Sequence, residues 1–261
     1  KALLASAELL HAIEGAAELG VSVDGDVSCD WSKVQSRKDR VIRRLRGGIA
    51  SLFKARGVEL LRGRGRLDGP GRIVVTDPDG KDQPISARKT ILAVGSVPSR
   101  IPGWPENPEL VCTSDEALHW PELPARLLIV GGGVIGCEFA CMMRAFGVEV
   151  TVVEMLPRLL PNMLPDLGEE MAKTFAARGI AVHTRTKVEE LTASGKEAQA
   201  KLSSGEAVSA EKVLVATGRR PNTAEIGLDT VGLETDRGFV RVDDRMATGA
   251  EDVYCIGDAN G

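Results

Sequence analysis

The segment RLLIVGGGVIGCEFACMMRAFGVEVTVVE, residues 126–154, limits what this chain can fold into more than any other stretch. An apolar run ends in three glycines, a helical pattern follows, and a valine-rich run closes on Glu154. Strand, glycine turn, helix and strand in that order make a βαβ unit, which needs a parallel sheet. Gly131, Gly133 and Gly136 stand at G-x-G-x-x-G spacing. In such a turn the first glycine permits the tight bend and the second lets the backbone approach a pyrophosphate. The third lets helix and strand pack closely. The anion then faces the free N–H groups and the positive end of the helix dipole.

Glu154 lies 18 residues beyond Gly136, at the end of the second strand. A carboxylate there accepts hydrogen bonds from ribose hydroxyls and repels a 2′-phosphate, which favours NAD over NADP. The competing reading is a charged strand end in a loop, and Arg158, four residues on, is a weak counter-signal for NADP.

The pattern on either side extends the α/β alternation. A helix is expected over 1–19, stopped by Gly20, and a second from Asp30 as N-cap to about Arg56, bent near Gly47-Gly48. Strands are expected at 58–61, 72–77 and 89–94, with DPDG at 77–80 as a turn. The connector VPSRIPGWPENPEL separates this region from a second domain that begins near Leu123. Beyond the βαβ unit a helix is expected at about 166–178 and strands at 180–184, 186–191, 199–203 and 211–217. TILAVGSVP at 90–98 and VLVATGRRP at 213–221 echo one another, as if the chain leaves one nucleotide-binding domain, builds another and returns. The last strand, in VYCIGDANG, ends on Asp258, a carboxylate placed either to accept from sugar-like hydroxyls or to cap a helix.

Composition narrows the partners. The net charge of −4 gives no electrostatic reason to expect nucleic acid. The basic run RKDRVIRRLR at 37–46 reads as the solvated side of an amphipathic helix with Val34, Val41, Leu45 and Leu52 on its apolar face. No apolar run reaches the ~18 residues a membrane crossing needs. The five cysteines, Cys29, Cys112, Cys137, Cys141 and Cys255, are odd in number and irregularly spaced, which indicates reduced thiols and an intracellular setting. Cys137 and Cys141, four apart on a helix, read as packing residues ahead of a redox pair. No set of Cys and His has metal-ligand spacing, so no metal is expected.

Taken together, KALLASAELLHAI, RKDRVIRRLRGGIASLFK, ILAVGSVPSRIPG, VGGGVIGCEFA, VVEMLPRLLP, TKVEEL, ATGRRPN and VYCIGDANG resemble the pyridine nucleotide–disulfide oxidoreductases, and among them the dihydrolipoyl dehydrogenases. The resemblance runs along essentially the whole chain. It implies two Rossmann-like three-layer domains, the NAD domain inserted into an FAD domain that is here incomplete. The boundaries it implies are 1–122 for the partial FAD domain, 123–240 for the NAD domain and 241–261 for the return. It also implies FAD and NAD as cofactors.

By the same resemblance Gly131, Gly132, Gly133, Val134, Ile135, Gly136, Cys137 and Glu138 bind the NAD pyrophosphate, and Glu154 its ribose. Val188 and Gly218 line the NAD site. Gly65, Val94, Gly95, Ser96 and Asp258 lie on FAD, with Val94 replacing the usual threonine of the family's A-T-G-S. Lys1 lies near the flavin and pairs with Glu138, while His11, His119 and His183 match no catalytic histidine. The family's first glycine finger, its redox C-x-x-x-x-C and its C-terminal dimerisation domain have no counterpart here, so the chain is expected to be an internal fragment unable to complete the cycle alone. The activity implied is oxidation of dihydrolipoamide through an enzyme disulfide and FAD to NAD. The implied partners are a lipoyl domain of a 2-oxo acid dehydrogenase or glycine cleavage complex, and a second copy in a homodimer. The implied location is the bacterial cytoplasm or the mitochondrial matrix. A related mercuric or glutathione reductase, an NADH oxidase, a transhydrogenase and a non-catalytic NAD-binding module are the alternatives.

Overall fold

A computed structural model describes residues 1–105 and 107–261. The chain forms two compact units, one of Lys1–Gly47 with Pro98–Gly218 and one of Gly48–Val97 with Arg219–Gly261. The units divide at 47/48, 97/98 and 218/219.

The first unit is built on a five-stranded sheet in which all neighbouring strands run parallel. In spatial order these are Val111–Thr113, Lys212–Val215, Arg126–Val130, Glu149–Val153 and Ala181–His183. Leu127, Leu128 and Ile129 are all within 1% of full burial, as expected of a parallel strand covered on both faces. Their alternation assigns each to a layer. Leu127 and Ile129 pack with Leu3, Trp31, Phe139, Met143 and Phe175 from the helices. Leu128 and Val130 pack with Leu191, Ala198, Ala200 and Leu202 of an antiparallel meander, Val188–Ser194, Glu197–Leu202 and Ala207–Ala210. Each fully buried Leu or Ile contributes roughly 1.5–3 kcal/mol to the unit.

The N-terminal helix spans Ala2–Glu14 and gives way to a tighter turn, Ala16–Leu19, ended by Gly20 in the left-handed region at φ 76°. The long helix Trp31–Ala55 runs unbroken through Gly47-Gly48. Its first turns are anchored: Trp31 Nε1 donates to the Trp120 carbonyl at 3.0 Å, and its ring meets Phe146 edge-on at 5.1 Å. Lys38, although buried, donates from Nζ to the Leu118 carbonyl at 2.9 Å. The expected apolar face is only partly used, since Val34 joins the core while Val41, Leu45 and Leu52 are exposed. Among the described residues no helix is long and apolar enough to cross a membrane.

The second unit joins an antiparallel meander, Arg64–Leu67, Arg72–Thr76 and Asp82–Ser86, with a parallel pair, Thr90–Leu92 and Val253–Cys255. Leu67, Leu92, Leu228, Val240, Val253 and Cys255 form its core. In the turn at 77–80, Asp77 Oδ1 accepts from the N–H groups of Asp79 and Lys81, at 3.0 and 2.8 Å. The strand expected at 58–61 is absent: Val58 and Leu60 are exposed and belong to no ladder among the described residues. Two strands without a sequence signal, Arg64–Leu67 and Asp82–Ser86, form because each pairs with one edge of Arg72–Thr76.

Asp30 fixes the start of the long helix. The Ser32 hydroxyl, the Lys33 backbone N–H and the Lys33 ammonium hold its carboxyl down to about 2. A depressed acid stabilises the fold fully above its unfolded value near 3.9 and loses that effect as pH falls through the folded value. The difference in urea midpoint between wild type and Asp30→Ala is therefore expected to be full at pH 5 and to vanish as pH falls from about 4 to about 2.

Candidate functional site

Arg126–Val130 runs beside Glu149–Val153 with Arg126 opposite Glu149 and Val130 opposite Val153, so both strands end at one edge. Beyond that edge Gly131 turns the chain at φ 112° and its N–H donates to the Val153 carbonyl at 2.8 Å. Gly133 then caps the helix Val134–Ala145 with no side chain to satisfy the first N–H groups. Those donors, with the positive end of the helix dipole, form an anion-binding corner.

Glu154 meets this corner from the neighbouring strand. It is 93% buried, with Oε2 accepting the Gly132 N–H at 2.6 Å and Oε1 the Leu156 N–H at 2.7 Å. A carboxylate offers about four lone-pair positions. The two N–H groups use one on each oxygen, which fixes the group in place and leaves acceptor capacity for a ligand hydroxyl.

A cleft of about 670 Å³ opens over these groups, lined by Gly131, Gly133, Val134, Ile135, Glu154, Val188 and Gly218 among others. All seven were singled out in the sequence. Gly132, Gly136, Cys137 and Glu138 belong to the same turn and helix but do not line the cleft. Ile101, Trp104, Met155, Lys187 and Thr217 do line it and were missed. Trp104, an aromatic residue inside the proline-rich connector, carried the one usable signal. A groove of about 720 Å³ in the second unit, lined by residues between Arg220 and Gly238, holds none of the expected site residues.

On the finger helix, Lys1 Nζ donates to Glu138 Oε1 at 2.5 Å. Glu138 pushes the Lys1 ammonium above its ordinary range, by that hydrogen bond first and by its charge second. Burial pushes the Cys137 thiol up to about 12. Burial also raises Cys141, and all five cysteines are free. Two protonated thiols on a packed helix face do not make a redox pair at neutral pH. His11 meets Arg178, His119 meets Lys38 and His183 meets Glu206, at 2.9, 3.3 and 3.3 Å, so each has a structural neighbour outside the cleft. Among the described residues no group of three or more His, Cys, Asp or Glu is placed to hold a metal ion.

In the second unit Ser96 Oγ donates to Asp258 Oδ2 at 2.6 Å and accepts from Arg219 Nε at 2.7 Å. Arg219 Nη2 also donates to the Ser96 carbonyl at 2.6 Å, a contact the sequence did not signal. Asp258 is not a helix cap: Ile256 caps the turn Gly257–Ala259 and Asp258 lies inside it. Gly95 and Val94 offer their carbonyls to Asn222, at 2.9 Å from its N–H and 3.4 Å from Nδ2. Gly65 stands opposite Val75 in the meander, in a different sheet from Ser96.

A parallel sheet whose glycine turn feeds a helix N-terminus, with a buried acid at the next strand end, defines a Rossmann-type nucleotide-binding protein. The chain belongs to the pyridine nucleotide-disulphide oxidoreductase family, whose profile matches residues 1–261. It is 37% identical to a dihydrolipoyl dehydrogenase of Chlorobaculum tepidum over 265 residues, covering 100% of this chain and 56% of that protein. It is 35% identical to a dihydrolipoyl dehydrogenase of Acholeplasma laidlawii, of which it covers 76%. Among solved structures, LpdA of Mycobacterium tuberculosis superposes with a TM-score of 0.90 at 28% identity, covering 100% of this chain and 57% of LpdA. The chain thus spans little more than half the length of several curated relatives.

Two glycines of the finger are expected to separate in their effects. A Cβ at Gly136 would drive into the Gly131 carbonyl oxygen, whereas one at Gly133 meets nothing within 4 Å. Urea unfolding should find Gly136→Ala less stable by about 3 kcal/mol, the upper range for overpacking, and Gly133→Ala changed by less than about 0.5 kcal/mol. The thiols give a second check. Iodoacetamide at pH 8 should label the exposed Cys29 first and reach buried Cys112, Cys137 and Cys255 only after unfolding, as read by peptide mass.

Proposed function

We propose that residues 1–261 carry the NAD-binding part of a flavin-dependent dihydrolipoyl dehydrogenase. The observation that carries this reading is the buried Glu154 carboxylate, fixed by two backbone N–H groups beside the uncapped helix N-terminus. In this reading the N–H groups of the Gly131–Gly136 turn hold the pyrophosphate of NAD, and Gly133 leaves room for it. Glu154 accepts from the adenosine ribose hydroxyls and disfavours a 2′-phosphate. Val188 and Gly218 wall the cleft further along.

For FAD, the second oxygen of Asp258, the remaining lone pair of Ser96 Oγ and the turn at Val94-Gly95 offer acceptors suited to the hydroxyls of a ribityl chain, with Gly65 as a more distant contact. The residues present fit part of a flavin site. Lys1 and Glu138 keep a compensated charge pair where the family resemblance places the isoalloxazine. A bound flavin supplies two-electron transfer between thiols and nicotinamide. The protein's part is binding, orientation and exclusion of water.

The substrate proposed for the whole enzyme is dihydrolipoamide on a lipoyl domain of a 2-oxo acid dehydrogenase or glycine cleavage complex. A homodimer in the cytoplasm or the mitochondrial matrix, serving cell redox homeostasis, completes the reading. The similarity to RclA of Escherichia coli, described as an HOCl-induced flavoprotein disulfide reductase, supports a second reading as a reductase of another disulfide substrate. RclA is 25% identical with a TM-score of 0.85.

Titration calorimetry tests the cofactor reading. NADH is expected to bind residues 1–261 at least about tenfold more tightly than NADPH, a difference of ~1.4 kcal/mol. Gly133→Ala is expected to weaken NADH by a similar factor. Equal affinity for the two nucleotides, or none for either, rejects the role given to Glu154.

A further inference from the structure

The loop from Met155 to Leu164 forms one wall of the cleft, through Met155, Leu156, Pro161 and Asn162. It contains neither helix nor strand, so its shape rests on bonds reaching in from elsewhere. The Leu160 N–H donates to the Gly132 carbonyl at 2.8 Å, and the Leu156 carbonyl accepts the Arg185 N–H at 3.0 Å. Leu160 holds φ 49°, a left-handed conformation that a bulky side chain keeps only when its surroundings enforce it.

Arg158 supplies the enforcement from inside the loop. Its Nη2 donates to the carbonyls of Pro161 and Met163, at 3.0 and 3.3 Å. Its Nε is buried and has no partner among the described residues. A buried unpaired donor is unfavourable, so the side chain is held in this place by what Nη2 gains. The guanidinium is thus directed at carbonyls of its own loop, and Arg158 does not line the cleft. This placement answers the NADP reading of the sequence, because a 2′-phosphate receptor must present its donors to the ligand.

We infer that Arg158 is a positioning residue. Its guanidinium ties the carbonyls of residues 161 and 163 together and thereby holds Met155, Leu156, Pro161 and Asn162 in the shape that receives the adenosine half of the dinucleotide. The inference rests on the proposed NAD role of the cleft and adds to it the group that shapes the adenosine wall. It distinguishes the adenosine end from the nicotinamide ring, and ADP-ribose keeps the first while lacking the second.

Titration calorimetry of residues 1–261 with NADH and with ADP-ribose tests it on three proteins: wild type, Arg158→Gln and Arg158→Lys. Arg158→Gln is expected to weaken both ligands about tenfold and by equal factors, the loss typical of one charge-assisted hydrogen bond. Arg158→Lys retains one charged donor and the packed stem, and should remain within about threefold of wild type. If wild type binds but Arg158→Gln retains wild-type affinity, or loses NADH and not ADP-ribose, the inference fails and the cleft assignment stands. If wild type binds neither ligand, the cleft assignment fails and takes this inference with it. Loss of cooperative urea unfolding in Arg158→Lys also overturns it, since the guanidinium would then hold the fold instead of the wall.

Discussion

The first unit depends on how closely the finger helix approaches the end of its strand. Gly136 lies against the Gly131 carbonyl, a spacing that admits no side chain. That approach brings the uncapped helix N-terminus to the edge where two parallel strands end in register. It also sets the Gly132 N–H within reach of Glu154, which reaches back from the second strand. Turn, dipole and carboxylate are therefore one construction. Loosening the packing at Gly136 would separate all three.

The buried charges follow one rule. Glu154 and Lys38 are both withdrawn from water and both are compensated: the acid by two backbone N–H donors, the amine by the Leu118 carbonyl and by the Asp39 carboxylate at 3.2 Å. Burial of an unpaired charge is prohibitive, and a few backbone dipoles of the right sign make it tolerable. The consequences differ because the surroundings differ. Lys38 fastens the long helix to the segment around Leu118, whereas Glu154 faces a cleft and keeps unused lone pairs. The thiols obey the same physics with the opposite outcome. Burial without compensating charge keeps Cys112 and Cys137 protonated, each pushed up to about 12, and removes them from redox chemistry at neutral pH.

In the second unit the chain relies on directed polar contacts. Arg219, Ser96 and Asp258 form a line in which the hydroxyl accepts from the cation and donates to the acid. The hydroxyl hydrogen is thereby committed, and one Asp258 oxygen remains available as an acceptor. Around it the meander and the pair Thr90–Leu92 with Val253–Cys255 close a small core from segments far apart in sequence.

The sequence by itself determined the βαβ unit, its glycine turn and the acid at Glu154. Hydrophobic period, glycine spacing and strand end are local signals, and the close packing they require leaves few alternatives. It also determined that Asp30 starts a helix and that 77–80 turns, since both rest on side chains bonding their own backbone. What it left undetermined was decided by partners distant in the chain. Arg64–Leu67 and Asp82–Ser86 have poor strand composition and exist because Arg72–Thr76 offers them two edges, while the apolar stretch at 58–61 finds no edge and stays irregular. Ile101 and Trp104 join the cleft only because they pack against the layer of Leu128 and Val130. Arg219 becomes part of the Ser96–Asp258 line only when residues 96, 219 and 258 meet. In the sequence Arg158 is only a weak counter-signal for NADP beside Glu154. Tertiary structure turned its cation onto the carbonyls of Pro161 and Met163, because a guanidinium takes the acceptors that packing places nearest to it.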